Sequence, residues 1–326
     1  MFPDAEAAMN TVTQTIVLKS DGHYGGKPPA GALGEVLRLI QPAVRYSVRM
    51  AFEGRSSLRG ARPAWLQAAS DVRFIDHDGK DDTTLIFEAP QLGEAAPKLY
   101  EQQEIWPTRP DPNDTGFDLL GDVIREVDRQ NEDSERFDNP LLRRIGHFDH
   151  ALNGTFQTLE MITRRHSSVA RATITPQVIA TAKRFSNTIP PPQAIRIYGQ
   201  LDMIRASTES FALKLTTGEE VRGVLDNFDM GELANLFQKP VLVLGKAVYR
   251  PSGRLLRIDA TEVRLAEVSE RFFSKIPAPK VGRNVQKLGG RPIGSQGGVA
   301  AIFGRWPGDE TDAEIDAAMK EFSECR

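Results

Sequence analysis

Cysteine is nearly absent from this chain. Among 326 residues there is a single cysteine, Cys325, in the penultimate position. One thiol cannot form an internal disulfide or a cysteine zinc site, and its scarcity is typical of proteins in a reducing compartment. The first residues lack the basic start and apolar run of a signal peptide, and no stretch approaches the roughly 18 apolar residues of a membrane helix. We therefore expect a cytoplasmic protein that does not bind membranes.

An excess of positive charge is also lacking. The formal net charge is −3, so no global basic field attracts nucleic acid, and any such site would have to be a local patch. The hydrophobic content of 40% and the charged content of 26% are typical of a globular protein. A chain of this length accommodates two domains with cores of their own.

The N-terminal part predicts an antiparallel sheet. Residues 1–33, rich in glycine and proline towards their end, are expected to be an N-terminal arm. Apolar and polar residues alternate over Val44–Glu53, which predicts a strand with one buried face. Two further strand-like runs, Val72–Ile75 and Thr84–Phe87, flank the favourable hairpin turn Asp78-Gly79.

Three helices are predicted after these strands. Each has a recognisable start, either a capping-box spacing or a proline in the first turn: Thr115 with Asp118, Asn139-Pro140 and Thr175-Pro176. Strands followed by helices indicate an α+β domain over residues 34–188. The proline-rich segment 189–193 is expected to be a stiff linker to the next domain.

Residues 194–275 predict a five-stranded β-barrel. Three alternating apolar runs are followed by a short helical segment, Met230–Phe237, and by two more runs that Pro251-Ser252-Gly253 connects. Three strands, a helix and two strands match the element order of an OB-fold. The region resembles OB-fold domains in that order and in the stretch Gly245–Ala260, and the resemblance implies binding of oligonucleotides or proteins on one barrel face and the nearby loops.

A basic cluster lies at the connection of the last two predicted strands. One tyrosine accompanies four cations there: Lys246, Tyr249, Arg250, Arg254 and Arg257. Cations beside an aromatic side chain can follow a phosphate backbone and stack a base, so this cluster is a candidate site for single-stranded RNA or DNA. The alternative is an ordinary hairpin with exposed arginines, since residues 194–266 carry ten Lys/Arg against nine Asp/Glu.

Signals for catalysis and metal binding are weaker. His147 and His150 are spaced to share a helix face, but no further ligand follows at a regular spacing, so we expect a surface or packing role. Five carboxylates favour either a magnesium site for phosphodiester cleavage or a turn in which aspartates bond the local backbone: Asp76, Asp78, Asp81, Asp82 and Glu88. We find no nucleophile or dinucleotide motif, and predict no catalytic residue, metal ligand or cofactor.

Arginine is concentrated around the strand predicted at Val44–Glu53. Five arginines lie within 18 residues: Arg45, Arg49, Arg55, Arg59 and Arg62. This pattern indicates either a solvated sheet face or a surface for an acidic or nucleic-acid partner.

The C-terminal residues change composition twice. Residues 276–298 contain six glycines, three prolines and four Lys/Arg without an acid, which predicts a disordered linker. Residues 309–324 then carry seven Asp/Glu and one Lys. Thr311 and Glu314 form a capping-box pattern, and an apolar stripe follows at helical spacing: Ile315, Ala318, Met319 and Phe322. A helix of about 12 residues needs a surface for that stripe, either the body of this protein or a partner.

Part of this tail has a familiar pattern. The stretch G-R-W-P-G-D-E-T-D-A-E-I, Gly304–Ile315, resembles the toxin-binding segment of bacterial antitoxins that pair with PIN-domain ribonuclease toxins. In such pairs the toxin holds magnesium with a carboxylate cluster, and the antitoxin inserts a basic side chain into it. The resemblance implies that Arg305 enters that cluster, that Phe303 and Trp306 are apolar anchors, and that the stripe Ile315, Met319 and Phe322 seats the helix.

These observations predict an α+β chain with an OB-like barrel and a partner-binding tail over residues 299–326. The expected function is that of a non-enzymatic, antitoxin-like protein in a type II toxin–antitoxin system, with a PIN-domain toxin as partner. Two alternatives stay open at this point: a single-stranded nucleic-acid-binding OB-fold protein, and a metal-dependent nuclease that uses the Asp76–Glu88 region.

Overall fold

The computed structural model describes residues 11–58, 60–101, 109–152, 154–165, 168–225 and 230–279. The chain divides into two compact units, Met1–Val281 and Gly282–Arg326, and all described residues belong to the first. The predicted tail and most of the predicted basic linker lie outside the described residues. No helix in the described ranges is long and apolar enough to cross a bilayer.

The first half of the described chain forms an antiparallel five-stranded sheet. Its strand order is β2-β3-β1-β4-β5, with these bounds in chain order: β1 Thr11–Lys19, β2 Arg73–Asp78, β3 Thr83–Pro90, β4 Thr158–Arg165 and β5 Ser168–Ile174. The hairpin predicted at Asp78-Gly79 connects β2 and β3, as expected. The central strand, β1, comes from the segment 1–33 that the sequence suggested as an arm.

Helices cover this sheet and share its hydrophobic core. In chain order they are α1 Ala30–Glu53, α2 Ala64–Ala69, α3 Leu92–Ala95, α4 Gly116–Asp128, α5 Asn139–Gly146 and α6 Pro176–Thr188. The three predicted helix starts are confirmed at α4, α5 and α6. The Thr115–Asp118 capping box is present at α4, and Thr175 accepts a hydrogen bond from the Val178 amide at α6. Burial raises the pKa of Asp118 above its usual range.

The strand predicted at Val44–Glu53 is wrong, because this segment is the second half of helix α1. The alternation of ten residues coincides with a longer helical pattern that begins upstream, where Val36, Leu39, Ile40 and Ala43 are buried at spacings of three and four. Pro42 lies inside the helix. In the sequence it argues against a helix, because proline removes a backbone donor and is rare in helix interiors.

Strands β4 and β5 were not predicted from the sequence. Their outer faces carry charged residues that interrupt the apolar alternation, and one pair of these binds across the strands. Arg171 donates to Glu160 over 2.8 Å, and Lys19 of β1 lies 3.3 Å from the same carboxylate. These ion pairs stabilise the edge of the sheet. Because the residues that form them are charged, they also interrupt the alternation of apolar and polar residues from which a strand is predicted.

The second half of the described chain is a closed five-stranded barrel. Its strands are β6 Gln193–Arg205, β7 Ser210–Lys214, β8 Glu220–Leu225, β9 Pro240–Tyr249 and β10 Leu255–Leu265, and helix α7, Met230–Ala234, lies between β8 and β9. The strand order is β10-β8-β7-β6-β9, and the parallel pair β8–β10 closes the barrel. This mixed barrel with three strands, a helix and two strands is compatible with the predicted OB-like fold.

Each half has its own hydrophobic core, and one hairpin contributes to both. The barrel interior contains Ile197, Phe211 and Ile258, all fully buried. Leu256, next to Ile258 on β10, instead packs into the core of the sheet and helices, with Val248 of β9 at its margin. The hairpin β9–β10 is therefore where the barrel is attached to the rest of the described chain.

Gly223 is a position where the barrel interior tolerates no side chain. A Cβ there would lie well inside contact distance of the buried Phe211 ring. We expect Gly223→Ala to lower the free energy of unfolding by about 1–3 kcal/mol through overpacking, measured by urea unfolding with circular dichroism. Gly31→Ala is the matched control, because nothing lies within 4 Å of its Cβ position in helix α1. An equal loss in both variants would contradict the packing argument.

Candidate functional site at the barrel hairpin

The predicted nucleic-acid cluster lies in and around the hairpin β9–β10. Tyr249, its only aromatic residue, is 1% exposed in the barrel core, and burial raises the pKa of its hydroxyl. The hydroxyl is buried without a hydrogen-bond partner in the described part of the chain. The ring is therefore not available for stacking on a base in this state.

Arg250 and its neighbours bind the segment that follows helix α4. Arg250 donates to the Asp133 carbonyl over 2.7 Å and to the Glu135 carboxylate over 2.8 Å. Arg254 lies 3.4 Å from the Asp133 carboxylate, to which the Ser252 hydroxyl also donates. These contacts connect the barrel to residues 133–135, and we call this contact region, between residues 131–138 and the hairpin β9–β10, the seam.

Arg257 and Asp138 form the buried centre of the seam. The Arg257 guanidinium lies 3.2 Å from the Asp138 carboxylate and donates to the Gly54 carbonyl over 3.0 Å. Its side chain is 9% exposed and that of Asp138 is 1% exposed, so both charges are removed from water. Asp259 accepts from the Arg257 Nε over 2.7 Å, which makes the guanidinium the bridge between two carboxylates and a carbonyl.

Asp138 is itself held from three directions. It caps helix α5 by accepting from the Leu141 amide, and it accepts from both the backbone amide and the hydroxyl of Ser56. One carboxylate thus fixes the start of α5, the chain just after α1 and strand β10 of the barrel.

A second buried ion pair lies beside this centre. Glu53, the last residue of α1, accepts from Arg49 over 2.9 Å and from Arg55 over 3.0 Å, and all three side chains are at most 7% exposed. Arg55 also lies 3.8 Å from Glu209, in the connection of β6 and β7. The interpretation of Arg49 and Arg55 as part of an exposed sheet face is therefore wrong, because they are buried helix-end residues that hold this corner together.

A cleft of about 920 Å³ opens beside the seam. It is lined by the end of α1, by α4, by residues 131–136 and by the outer faces of β7 and β8. Eight carboxylates and six arginines line it, and several neutralise each other, such as Arg136 with Asp122 at 2.9 Å and Arg222 with Glu135 at 3.2 Å. The cleft follows the barrel surface and connection that OB-folds use for ligands, but here residues of the same chain occupy much of it.

The structure thus separates the five predicted residues. Tyr249 is in the barrel core, and Arg250, Arg254 and Arg257 take part in the seam. Lys246 is exposed on β9 and forms no ion pair with a described residue. Nucleic-acid binding by this cluster stays a prediction. Within the cluster, Lys246 and Arg254 have exposed side chains. No sequence pattern indicates the partners of the seam arginines, Asp133, Glu135 and Asp138, which lie more than a hundred positions upstream.

The histidine pair and the acidic turn have local partners. His147 and His150 lie in one 3-10 turn with ring centres 6.4 Å apart, and burial together with Arg144 lowers the pKa of His147. Asp76 and Asp78 accept from the backbone amides of the residues that follow them, as aspartates in turns do. Within the described ranges, no three His, Cys, Asp or Glu side chains are grouped so that they could hold a metal ion.

The six predicted toxin-binding residues lie outside the described residues: Phe303, Arg305, Trp306, Ile315, Met319 and Phe322. The role of each stays a prediction. The same holds for Arg59 among the clustered arginines.

Arg257→Ala tests the centre of the seam. We expect it to lower the free energy of unfolding by about 3–5 kcal/mol, because the variant leaves Asp138 charged and buried without its cation. Arg254→Ala is the control, since its exposed pair with Asp133 contributes at most about 1 kcal/mol. Chemical unfolding monitored by tryptophan fluorescence measures both.

A double-mutant cycle separates the pair from its surroundings. If Arg257 and Asp138 are coupled, the double variant Arg257→Ala/Asp138→Ala loses clearly less stability than the two single variants together. Strict additivity would show that the two charges act independently and would contradict the assigned role.

No protein-family model, curated protein or solved structure matches this chain. Its function is therefore argued from its own residues and geometry.

Proposed function

We propose that this chain is a non-enzymatic, antitoxin-like protein that binds and inhibits a PIN-domain ribonuclease toxin through its C-terminal tail. The observation that carries the proposal is the stretch Gly304–Ile315, with its resemblance to toxin-binding segments. The proposal places the pair in the bacterial cytoplasm, as a type II toxin–antitoxin system.

The chemistry of the tail suits an acidic metal site. Arg305 presents a planar fork of donors that binds a carboxylate through two parallel hydrogen bonds, so it can compete with magnesium for the ligands of a nuclease. Phe303 and Trp306 flank it, and aromatic side chains often dominate the energy of protein interfaces. The apolar stripe of Ile315, Met319 and Phe322 provides a second anchor of the helix-in-groove type.

The folded unit is compatible with a role as carrier of such a tail. The barrel hairpin, which OB-folds offer to ligands, is engaged with residues 131–138 of the same chain through the buried pair Arg257–Asp138. The chain divides at Val281, so the 45 residues from Gly282 to Arg326 count as a unit of their own.

Co-purification tests the proposal directly. The bait is the full chain, the prey is the PIN-domain protein encoded beside it, and the comparison is a variant that ends at Gly298. We expect capture and inhibition of ribonuclease activity by the full chain and neither by the truncated one. Equal capture by both would contradict tail-mediated binding, and the absence of any effect on the nuclease would contradict inhibition.

Arg305→Ala separates inhibition from binding. We expect the variant to restore most ribonuclease activity while weakening capture by about tenfold or less, since the apolar anchors remain. Arg291→Ala, an arginine of the predicted linker that precedes the tail, is the control and should leave both unchanged. An Arg305→Ala variant that inhibits as well as the wild type would refute its placement in the metal site.

A further inference from the structure

A second groove, of about 1010 Å³, lies on the barrel and shares no described lining residue with the 920 Å³ cleft. It is formed by β6 and β9 together with the 3-10 turn Val268–Phe273 that follows β10. Among the described residues, its lining contains three cations, Arg196, Arg271 and Lys275, and no aspartate or glutamate. This composition contrasts with the 920 Å³ cleft, whose charges are mixed and largely paired.

Two adjacent phenylalanines border the groove. The Phe272 side chain is 86% exposed, and its ring lies 5.8 Å from that of Phe273 at an angle of 80°. Leaving a large apolar side chain in water costs about 1.5–3 kcal/mol relative to burying it, and a ligand stacked on the ring would recover part of this free energy. The edge-to-face contact holds Phe272 beside a second ring and leaves its own face accessible.

The positive charge of the groove is only partly offset by nearby acids. Glu267, just before the turn, caps it together with Glu270. The bidentate pair of Glu270 with Arg264 lowers the pKa of the Glu270 carboxyl, and the charge of Arg196 contributes to the shift, while Glu262 lies 3.4 Å from Arg264. Arg196, Arg271 and Lys275 form no ion pair with any residue in the described ranges. The chain that leaves the groove continues this trend, because residues 276–298 contain four Lys/Arg and no acid.

We infer that this groove binds single-stranded nucleic acid. An exposed aromatic face beside several unpaired cations is the arrangement with which proteins stack a base and follow a phosphate backbone without reading sequence. The positive charge of the groove favours a polyanion as its ligand. The accessible ring of Phe272 favours a ligand whose bases can stack on it. The groove is concave and flanked by strands, which suits an extended single strand better than a double helix of about 20 Å diameter or a flat membrane surface.

This site is separate from the residues first predicted for nucleic acid. Its described lining contains none of Lys246, Tyr249, Arg250, Arg254 and Arg257. The inference therefore does not rest on the antitoxin proposal, and either can fail without the other.

Fluorescence anisotropy with the full chain tests the inference. The probes are fluorescein-labelled oligo(U) and oligo(dT) of about 12 nucleotides, within the site sizes of OB-type barrels. We expect binding of both at low salt and a fall in affinity as salt rises, with a slope of log K against log salt of about −2 for three phosphate contacts. An absence of binding at about 50 mM salt overturns the inference.

Single substitutions locate the site. Phe272→Ala should weaken binding by about tenfold, as the loss of one stacked base predicts. The slope of log K against log salt should not change, because no phosphate contact is removed. Arg196→Gln and Arg271→Gln should each reduce the magnitude of the salt slope by about 0.7. The controls are Phe74→Ala, which removes another exposed phenylalanine, and Arg143→Gln, which removes another exposed arginine. Equal effects of the controls would overturn the placement.

A vesicle-binding assay distinguishes nucleic acid from an anionic membrane surface as the ligand of the groove. Phosphatidylcholine vesicles with about one third phosphatidylserine are mixed with the wild type and with Phe272→Ala in a sedimentation assay. The inference predicts no cosedimentation. Binding to vesicles that depends on Phe272, without oligonucleotide binding, would assign the groove to membranes and contradict it.

Discussion

One buried ion pair, Arg257–Asp138, determines how the described chain is assembled. Asp138 caps α5, holds the chain after α1 through Ser56 and binds the barrel through Arg257. Both charges are out of water, so neither is stable alone, and the attachment of the barrel is correspondingly specific. The exposed contacts around it, such as Arg254 with Asp133, add little energy but exclude other orientations by their geometry.

The internal contacts of this hairpin cover part of the barrel surface on which ligands of OB-folds commonly bind. A barrel of this topology has one surface and two connections on which ligands commonly bind, and here Glu209 of one connection and Arg250 of the other contact residues of the first half. The exposed cationic and aromatic side chains are found instead around Phe272, at the groove beside β6 and β9. The groove for which we infer nucleic-acid binding therefore lies on a different part of the barrel from the one that the fold alone would suggest.

The parts of the fold that depend on local chemistry were predictable. The helix starts at Thr115 and Thr175 were predicted from side chains that bond within their own turn, and the barrel from short alternating runs with turns between them. The second half of helix α1 is predicted as a strand for two reasons. Pro42 argues against a helix, and apolar and polar residues happen to alternate over Val44–Glu53. The internal partners of Arg250 and Arg257 could not be predicted, because they lie at 133–138, more than a hundred positions away. No local pattern encodes such a pairing.

The position of β1 in the sheet affects the order in which the chain can fold. This strand is synthesised first but lies in the middle, where Thr15 pairs with both Ile86 and Ile162. Contacts of such long sequence separation form slowly, and β1 stays without its second neighbour until β4 has left the ribosome. The barrel likewise closes late, because β6 pairs with β9 and β8 with β10. The sheet is complete once β5 ends at Ile174, about 90 residues before β10 completes the barrel at Leu265, so the first core can form before the second.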